Sequence, residues 1–335
     1  MKKQKKWSRF WQIFMVLLLL LIVAAILSLR FGAVSTPLRD ILAELAGGEP
    51  LVLKYRLPRL IIAVLTGINM AVSGAILQSI TRNQLAAPDI VGVTAGGGFG
   101  AVVVLLAFPT WSAVGLPFAA FAGAVTAAVI VYLFAYQRGG IQPTRLALTG
   151  VSVSLGFQAL ITFLIVKYAL DSSQALVWLK GSLYARSWQH VDLLWPWTLV
   201  GLVLALLSHR QINTLQLNED TAIGLGLRVQ LARLMLLITA VGLAASSVAV
   251  SGTIGFVGLV IPPLSKRLVG SDSKLYLPVS ALLGALLVTL ADLAGRVILP
   301  PLEIPAGIFT ALIGAPYFIY LLLIGRSTPN KSRTR

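Results

Sequence analysis

The sequence predicts an all-α, polytopic membrane protein built of about ten transmembrane helices in a single domain, residues 1–335. Three observations carry this. First, 57% of the residues are hydrophobic and only 11% are charged, with a mean hydropathy of +0.89. A soluble domain carries roughly 25% charged residues, so this composition cannot build a water-facing surface. Second, apolar runs of about 20 residues, the length that crosses a bilayer, recur along the whole chain and leave no stretch for a second, soluble domain. Third, these runs hold small residues, such as Gly67, Ala71, Ser73, Gly74 and Ala75, where a simple anchor would hold leucines. Small residues let helices approach closely in lipid.

The ten helices are expected at 10–31, 58–80, 91–107, 115–136, 143–168, 191–208, 231–250, 256–269, 276–297 and 306–325. A basic N-terminus at 1–9, with Lys2, Lys3, Lys5, Lys6 and Arg9, precedes the first. That first apolar run exceeds the roughly 7–15 residues of a signal-peptide core, so it is expected to be a retained helix with its N-terminus in the cytoplasm. Pro58 suits the start of the second helix, where its missing N–H goes unneeded, and Arg56 and Arg59 flank it. The third and eighth helices are short and rich in glycine. The loop 169–190 is amphipathic and holds Trp178 and Trp188, aromatics that favour the bilayer interface. The polar loop 209–230 is expected to hold one short helix. Asn218 stands at its N-cap, Glu219 and Asp220 in its first turn complement the dipole, and Gly224 and Gly226 end it.

Charge orients this threading. With the N-terminus inside, most lysines and arginines fall on the inner side, including the basic tail 326–335, as the positive-inside rule requires. The net charge of +16 is thereby explained without a nucleic-acid partner. No cysteine is present, which excludes disulfides, thiolate zinc sites and iron–sulfur ligation, and His190 and His209 fall in loops on opposite sides, so no metal site is expected. Gly92, Gly96, Gly97, Gly98 and Gly100 open a membrane helix and lack the preceding strand of a dinucleotide fingerprint. No P-loop occurs, so the chain is not expected to bind ATP through one, and no nucleophile–base or metal constellation points to an enzyme. A faint echo links VSGAILQ (72–78) with VSGTIGF (250–256), each opening a block of four helices that enter from opposite sides, as in an inverted repeat.

Longer motifs carry a resemblance. RLPR at 56–59, GINMAVSGAILQ at 67–78, RNQLAAPDIVGVTAG at 82–96, WLKGSL at 178–183, LNEDTAIGLGL at 217–227, SGTIGFVGLVIPPLSKRLVGSD at 251–272, ADLAGR at 291–296 and EIPAGIFTALIGAPYF at 303–318 resemble the permease subunits of ATP-binding-cassette (ABC) importers for iron–siderophores, haem and cobalamin. Gln84 and Ala87 depart from the family's usual proline and acidic residue, and Pro263 from its histidine. The resemblance implies a bacterial cell-membrane permease that pairs with a second permease subunit, as a homo- or heterodimer. Two cytoplasmic ATPase subunits, which use the ATP, and an external substrate-binding protein complete the machine. The chain itself would bind no cofactor. Ferric siderophore leads as cargo, with haem and cobalamin sharing the motifs.

The resemblance also implies roles for residues. Arg56, Arg59 and Arg296 would dock the binding protein through its carboxylates. Asp292 and Arg296, four apart, would pair on one helix. Leu217, Asn218, Glu219, Asp220, Ala222, Leu225 and Gly226 would couple to the ATPase, and Asn83 and Leu85 would form a cytoplasmic gate. The pathway is expected to be mostly apolar. An ion-coupled secondary transporter would instead need buried acids at a midplane site, and the sequence offers essentially Asp292, near one helix end.

Overall fold

The computed structural model describes residues 2–32, 37, 39, 52–137 and 140–325. The basic tail 326–335, expected in the cytoplasm, lies outside them. Thirteen α-helices carry the described fold. They are α1 (Lys2–Arg30), α2 (Leu57–Thr81, entered through a π-helical turn at Val52–Arg56), α3 (Val93–Ala107), α4 (Ser112–Ala135), α5 (Pro143–Lys167) and α6 (Ser173–Trp178). Then come α7 (Trp188–Leu207), α8 (His209–Leu215), α9 (Glu219–Gly224), α10 (Val229–Ser251), α11 (Val257–Val269), α12 (Ser273–Val297) and α13 (Ala306–Gly325). The ten expected membrane helices correspond to α1–α5, α7 and α10–α13. Seven of them, α1, α2, α4, α5, α7, α10 and α12, are long and apolar enough to cross a membrane.

The differences from expectation have local causes. The basic N-terminus is no separate tail: from Lys2 it forms the first turns of α1, because Lys, Arg and Gln are good helix formers and no breaker intervenes. Helix α12 begins at Ser273, ahead of the expected 276, because the Asp272 carboxylate accepts the Lys274 N–H at 3.1 Å and caps it. The loop 209–230 holds two helices, α8 and α9, where one was expected. His190 lies in the first turn of α7, and its Nδ1 accepts the Ser187 N–H at 3.3 Å in a capping box. Tyr136–Gln137 and Gly140–Ile141 pair as a minimal antiparallel hairpin.

Helix α2 is the hub. It packs against α12, α10, α11 and α7. Of its apolar stretch 78% is buried, and of that of α10 72%, against 17% for α1 and for α5. The small residues explain the centre. A Cβ on Gly67 would collide with the Gly284 carbonyl, and one on Gly284 with that of Gly67, so α2 and α12 touch backbone to backbone. The outlying α1 and α5 leave broad faces for lipid or a partner.

Two helices begin deep in the bundle. Helix α3 has 15 residues and α11 has 13, about 22 Å and 20 Å of rise against a hydrocarbon core of about 30 Å. Gly258, in the first turn of α11, lies against the Met70 carbonyl, Pro88 and Gly74. Met70 and Gly74 are mid-helix in α2. The segments leading into α3 and α11 arrive from opposite ends of the bundle and therefore meet near its midplane. Both helices open on a left-handed residue, Gly92 (φ 86°) and Phe256 (φ 67°). The motif echo itself does not map onto matching structure. VSGAILQ is helical throughout within α2, whereas VSGTIGF leaves the helix at Gly252, whose φ of 75° ends α10.

Candidate functional site

At one end of the bundle the three predicted arginines converge. Arg59 on α2 grips Asp292 on α12 through Nη2 at 2.8 Å and Nε at 3.0 Å, and its Nη1 meets Glu303 at 2.8 Å. Arg296 pairs with the same Asp292 at 3.2 Å, as its spacing predicted. It also donates to the Ser28 hydroxyl at 2.6 Å and the Ser28 and Phe31 carbonyls. Arg56 donates to the Leu29 and Arg30 carbonyls. The network thus ties α1, α2 and α12 together. Asp292 is 2% exposed, Arg296 4% and Arg59 12%, so two of the three arginines turn inward onto carboxylates.

Beside this network lies a recess of about 670 Å³ lined by Lys54, Tyr55, Arg59, Tyr184, Arg186 and Trp188. Lys54 is exposed. Arg186 follows Ala185, which has a φ of 56°, and its buried Nε has no hydrogen-bond partner. Burial and the neighbouring Arg59 both lower its pKa; it stays charged at neutral pH. Sequence reasoning did not single out Lys54 or Arg186. The signal available was a basic residue in each of two predicted outer segments that hold few others.

The opposite end gathers the predicted coupling and gate residues. Lys6, in the basic N-terminus, lies against Gly270 at this end. The Arg82 Nε donates to the Leu215 carbonyl at 2.9 Å, which joins the end of α2 to α8. Asn213 of α8 donates to Asp272 at 3.0 Å and accepts the Ser273 N–H at 2.8 Å, joining α8 to the start of α12. In the loop after α2, Asn83 Oδ1 accepts the Leu85 N–H at 2.9 Å and turns the chain. Asn83 is exposed and Leu85 half-buried.

On α9 the predicted residues divide. Ala222 is fully buried, while Leu217, Asn218, Asp220, Leu225 and Gly226 face outward with Ile223, which the sequence reading had not picked out. Asn218 occupies the N-cap position, yet its side chain makes no capping bond, contrary to expectation. Nor is Glu219 merely a partner of the helix dipole. Its carboxylate takes Arg233 of α10 at 2.9 and 3.3 Å, and Arg233, 1% exposed, also donates to the Ile141 carbonyl at 3.0 Å. The expected glycine stop is present: α9 ends at Gly224, Gly226 is left-handed at φ 81°, and the Leu227 N–H returns to the Ala222 carbonyl.

At the midplane the structure places a carboxylate that falls, in sequence, between the expected second and third helices. The Asp89 carboxylate lies against Gly255 and faces the Phe256 backbone N–H and the Thr94 hydroxyl, between the two entering segments.

Short helices meeting at mid-depth, a charged network at one end and a braced surface knob at the other define a polytopic transport subunit. The FecCD transport family model matches residues 19–324, and the chain belongs to that family. It is 42% identical to the Fe(3+)-citrate import system permease protein YfmE of Bacillus subtilis, over 96% of this chain and 97% of that one. It is 40% identical to the iron(3+)-hydroxamate import system permease protein FhuG of the same organism, over 92% and 95%. It is 39% identical to the Fe(3+) dicitrate transport system permease protein FecD of Escherichia coli, over 89% and 94%. A solved structure of a metal-chelate type ABC transporter in an inward-facing conformation superposes with a TM-score of 0.83 at 32% identity, covering 94% of this chain and 99% of that one.

Proposed function

We propose that the chain is the permease subunit of an ATP-driven importer and carries a ferric chelate, a siderophore or ferric citrate, by alternating access. The observation that supports this most is the near full-length likeness to a metal-chelate type transporter, joined to the iron-chelate permeases among its relatives. The end holding Lys6, α8 and α9 is the cytoplasmic one by the positive-inside rule, and the Arg59 end is external. A second permease pairs alongside α5, and the pathway runs between the two. Two ATPase subunits, which hydrolyse the ATP, seat on the outward-facing apolar side chains of Leu217, Ile223 and Leu225, and Asn83 and Leu85 sit at the inner mouth as the gate. The test is ATP-dependent uptake of radiolabelled ferric citrate, ferric hydroxamate, haem and cobalamin into vesicles holding the full assembly. Iron-chelate uptake that disappears without this chain is the expected result; uptake of haem or cobalamin alone overturns the cargo, and uptake insensitive to ATP depletion overturns the mechanism.

An external binding protein docks at the arginine end in this reading. Arg56, Lys54 and Arg186 meet its carboxylates, while Arg59 and Arg296, already held by Asp292 and Glu303, stiffen the rim. Lys54→Glu and Arg186→Ala are each expected to weaken binding-protein affinity about tenfold or more, the loss of a charge-assisted contact, with the melting temperature little changed. Arg56→Glu is expected to weaken it as well but also to lower the melting temperature, because Arg56 bonds the end of α1. Affinity measured against the purified assembly decides this; wild-type affinity in Lys54→Glu and Arg186→Ala removes the docking assignment.

A further inference from the structure

The midplane carboxylate opens into a recess of about 480 Å³, lined by Asp89, Thr94, Gln158, Thr162, Lys180 and Thr253 among a few apolar residues. Its depth follows from the packing of Pro88 and Gly258 at the level of Met70 and Gly74, in the middle of α2. A carboxylate facing acyl chains at that depth is strongly disfavoured. The recess therefore opens on an aqueous passage. Gln158 and Thr162, exposed on the otherwise uncovered face of α5, mark the direction of the opening. The expectation of a mostly apolar pathway does not extend to this wall.

The chemistry of the recess is that of a receptor for a polar ligand. The Asp89 carboxylate faces the Phe256 N–H and the Thr94 hydroxyl on one side, and a carboxylate has about four acceptor positions, enough to receive a visitor as well. Lys180 is exposed, and no ion pair joins it to Asp89 among the described residues. Three threonine hydroxyls and the Gln158 amide complete the lining. Thr162 and Thr253 donate to the Gln158 and Leu179 carbonyls and offer a ligand their acceptor lone pairs, while the amide can donate or accept.

We propose that this recess is a contact station for cargo on its way through the membrane. Asp89 accepts hydroxyl or amide N–H donors on the organic shell of a ferric chelate, and Lys180 engages the anionic edge of that shell. The station rests on the transport reading above and extends it: it assigns the chelate a polar foothold halfway across.

The absence of native cysteine makes the test direct. In the full assembly in vesicles, Thr162→Cys is expected to react with a charged, water-soluble thiol reagent. Transport of ferric citrate or ferric hydroxamate, whichever the unaltered assembly imports, slows that labelling, and completed labelling blocks uptake. Asp89→Asn, which keeps an acceptor for the Phe256 N–H, and Lys180→Gln each slow uptake about tenfold, the loss of one hydrogen bond to a charged group. Stimulation of ATP hydrolysis by the loaded binding protein persists in both, which a misfolded variant would not allow. Failure of the thiol to react overturns the aqueous recess; labelling that cargo never slows, together with wild-type uptake in both charge variants, overturns the station. Absence of chelate uptake by the unaltered assembly overturns the transport reading itself, so the two failures are told apart.

Discussion

Asp292→Ala is expected to destabilise the folded chain by about 3–5 kcal/mol, the usual cost of removing one partner from a buried ion pair. The reason is geometric. Asp292 is 2% exposed and is shared by Arg59 and Arg296. Its loss leaves two guanidinium groups without their common counter-charge. Glu303 retains Arg59, but Arg296 keeps only the Ser28 hydroxyl and backbone carbonyls. The contact between α1 and α12 weakens with it, so the first helix is expected to loosen before the bundle melts. Thermal unfolding in detergent, read with proteolysis of α1, measures both effects. A variant that melts as the parent does would mean that the network carries no stability. Arg59→Glu tests the same geometry from the other side. On sequence alone it reads as a surface change with little effect on stability. In the structure it gathers three carboxylates, with Asp292 and Glu303, and is expected to destabilise at least as much.

The contrast shows what the sequence makes legible. Composition and the apolar runs are enough for ten helices, because hydrocarbon thickness sets helix length and backbone satisfaction excludes other spanning forms. The i,i+4 spacing is enough for the Asp292–Arg296 pair. Nothing local announces that Arg59 reaches Asp292, because the two lie 233 residues apart and an interfacial arginine looks the same whether it faces water or a neighbouring helix. Asp89 was hidden for a related reason. The polar stretch before α3 reads as a surface loop, and only the meeting of Pro88 with Gly258 carries it to mid-depth. The shortness of α3 and α11 was visible; that both shortfalls point to one level of the membrane was not. An acid at that level is also what an ion-coupled carrier would use, so Asp89 meets the demand that Asp292 did not. Membership of the FecCD transport family is what favours an ATP-driven machine over that alternative.

Arg233 and Glu219 are expected to govern how tightly ATP hydrolysis is linked to transport. Helix α9 has only six residues and could not hold a defined position alone. Three things fix it: Ala222 packed in the core, the left-handed Gly226 behind it, and the forked contact of Glu219 with Arg233. Arg233 sits in the second turn of α10 and is also bonded to Ile141 at the hairpin. A push on the exposed Leu217, Ile223 and Leu225 therefore reaches α10 through this ion pair as well as through the short link 225–228, and α10 leads to the segment that carries Phe256 to Asp89. Glu219 is 39% exposed, so solvent screening holds the pair below a fully buried one, and 1–2 kcal/mol is the expected interaction. That corresponds to a factor of about 5–30 in the number of chelates imported per ATP hydrolysed, for Glu219→Gln and for Arg233→Met alike. The double variant is expected to be no worse than the poorer single one, since both remove the same link. Hydrolysis by the assembled ATPase persists in all three, which separates loss of coupling from loss of assembly. An unchanged ratio in both single variants would show that the stroke enters the membrane domain elsewhere, and the alternative route on the same face is α8, through Asn213 to Asp272 and through Leu215 to Arg82.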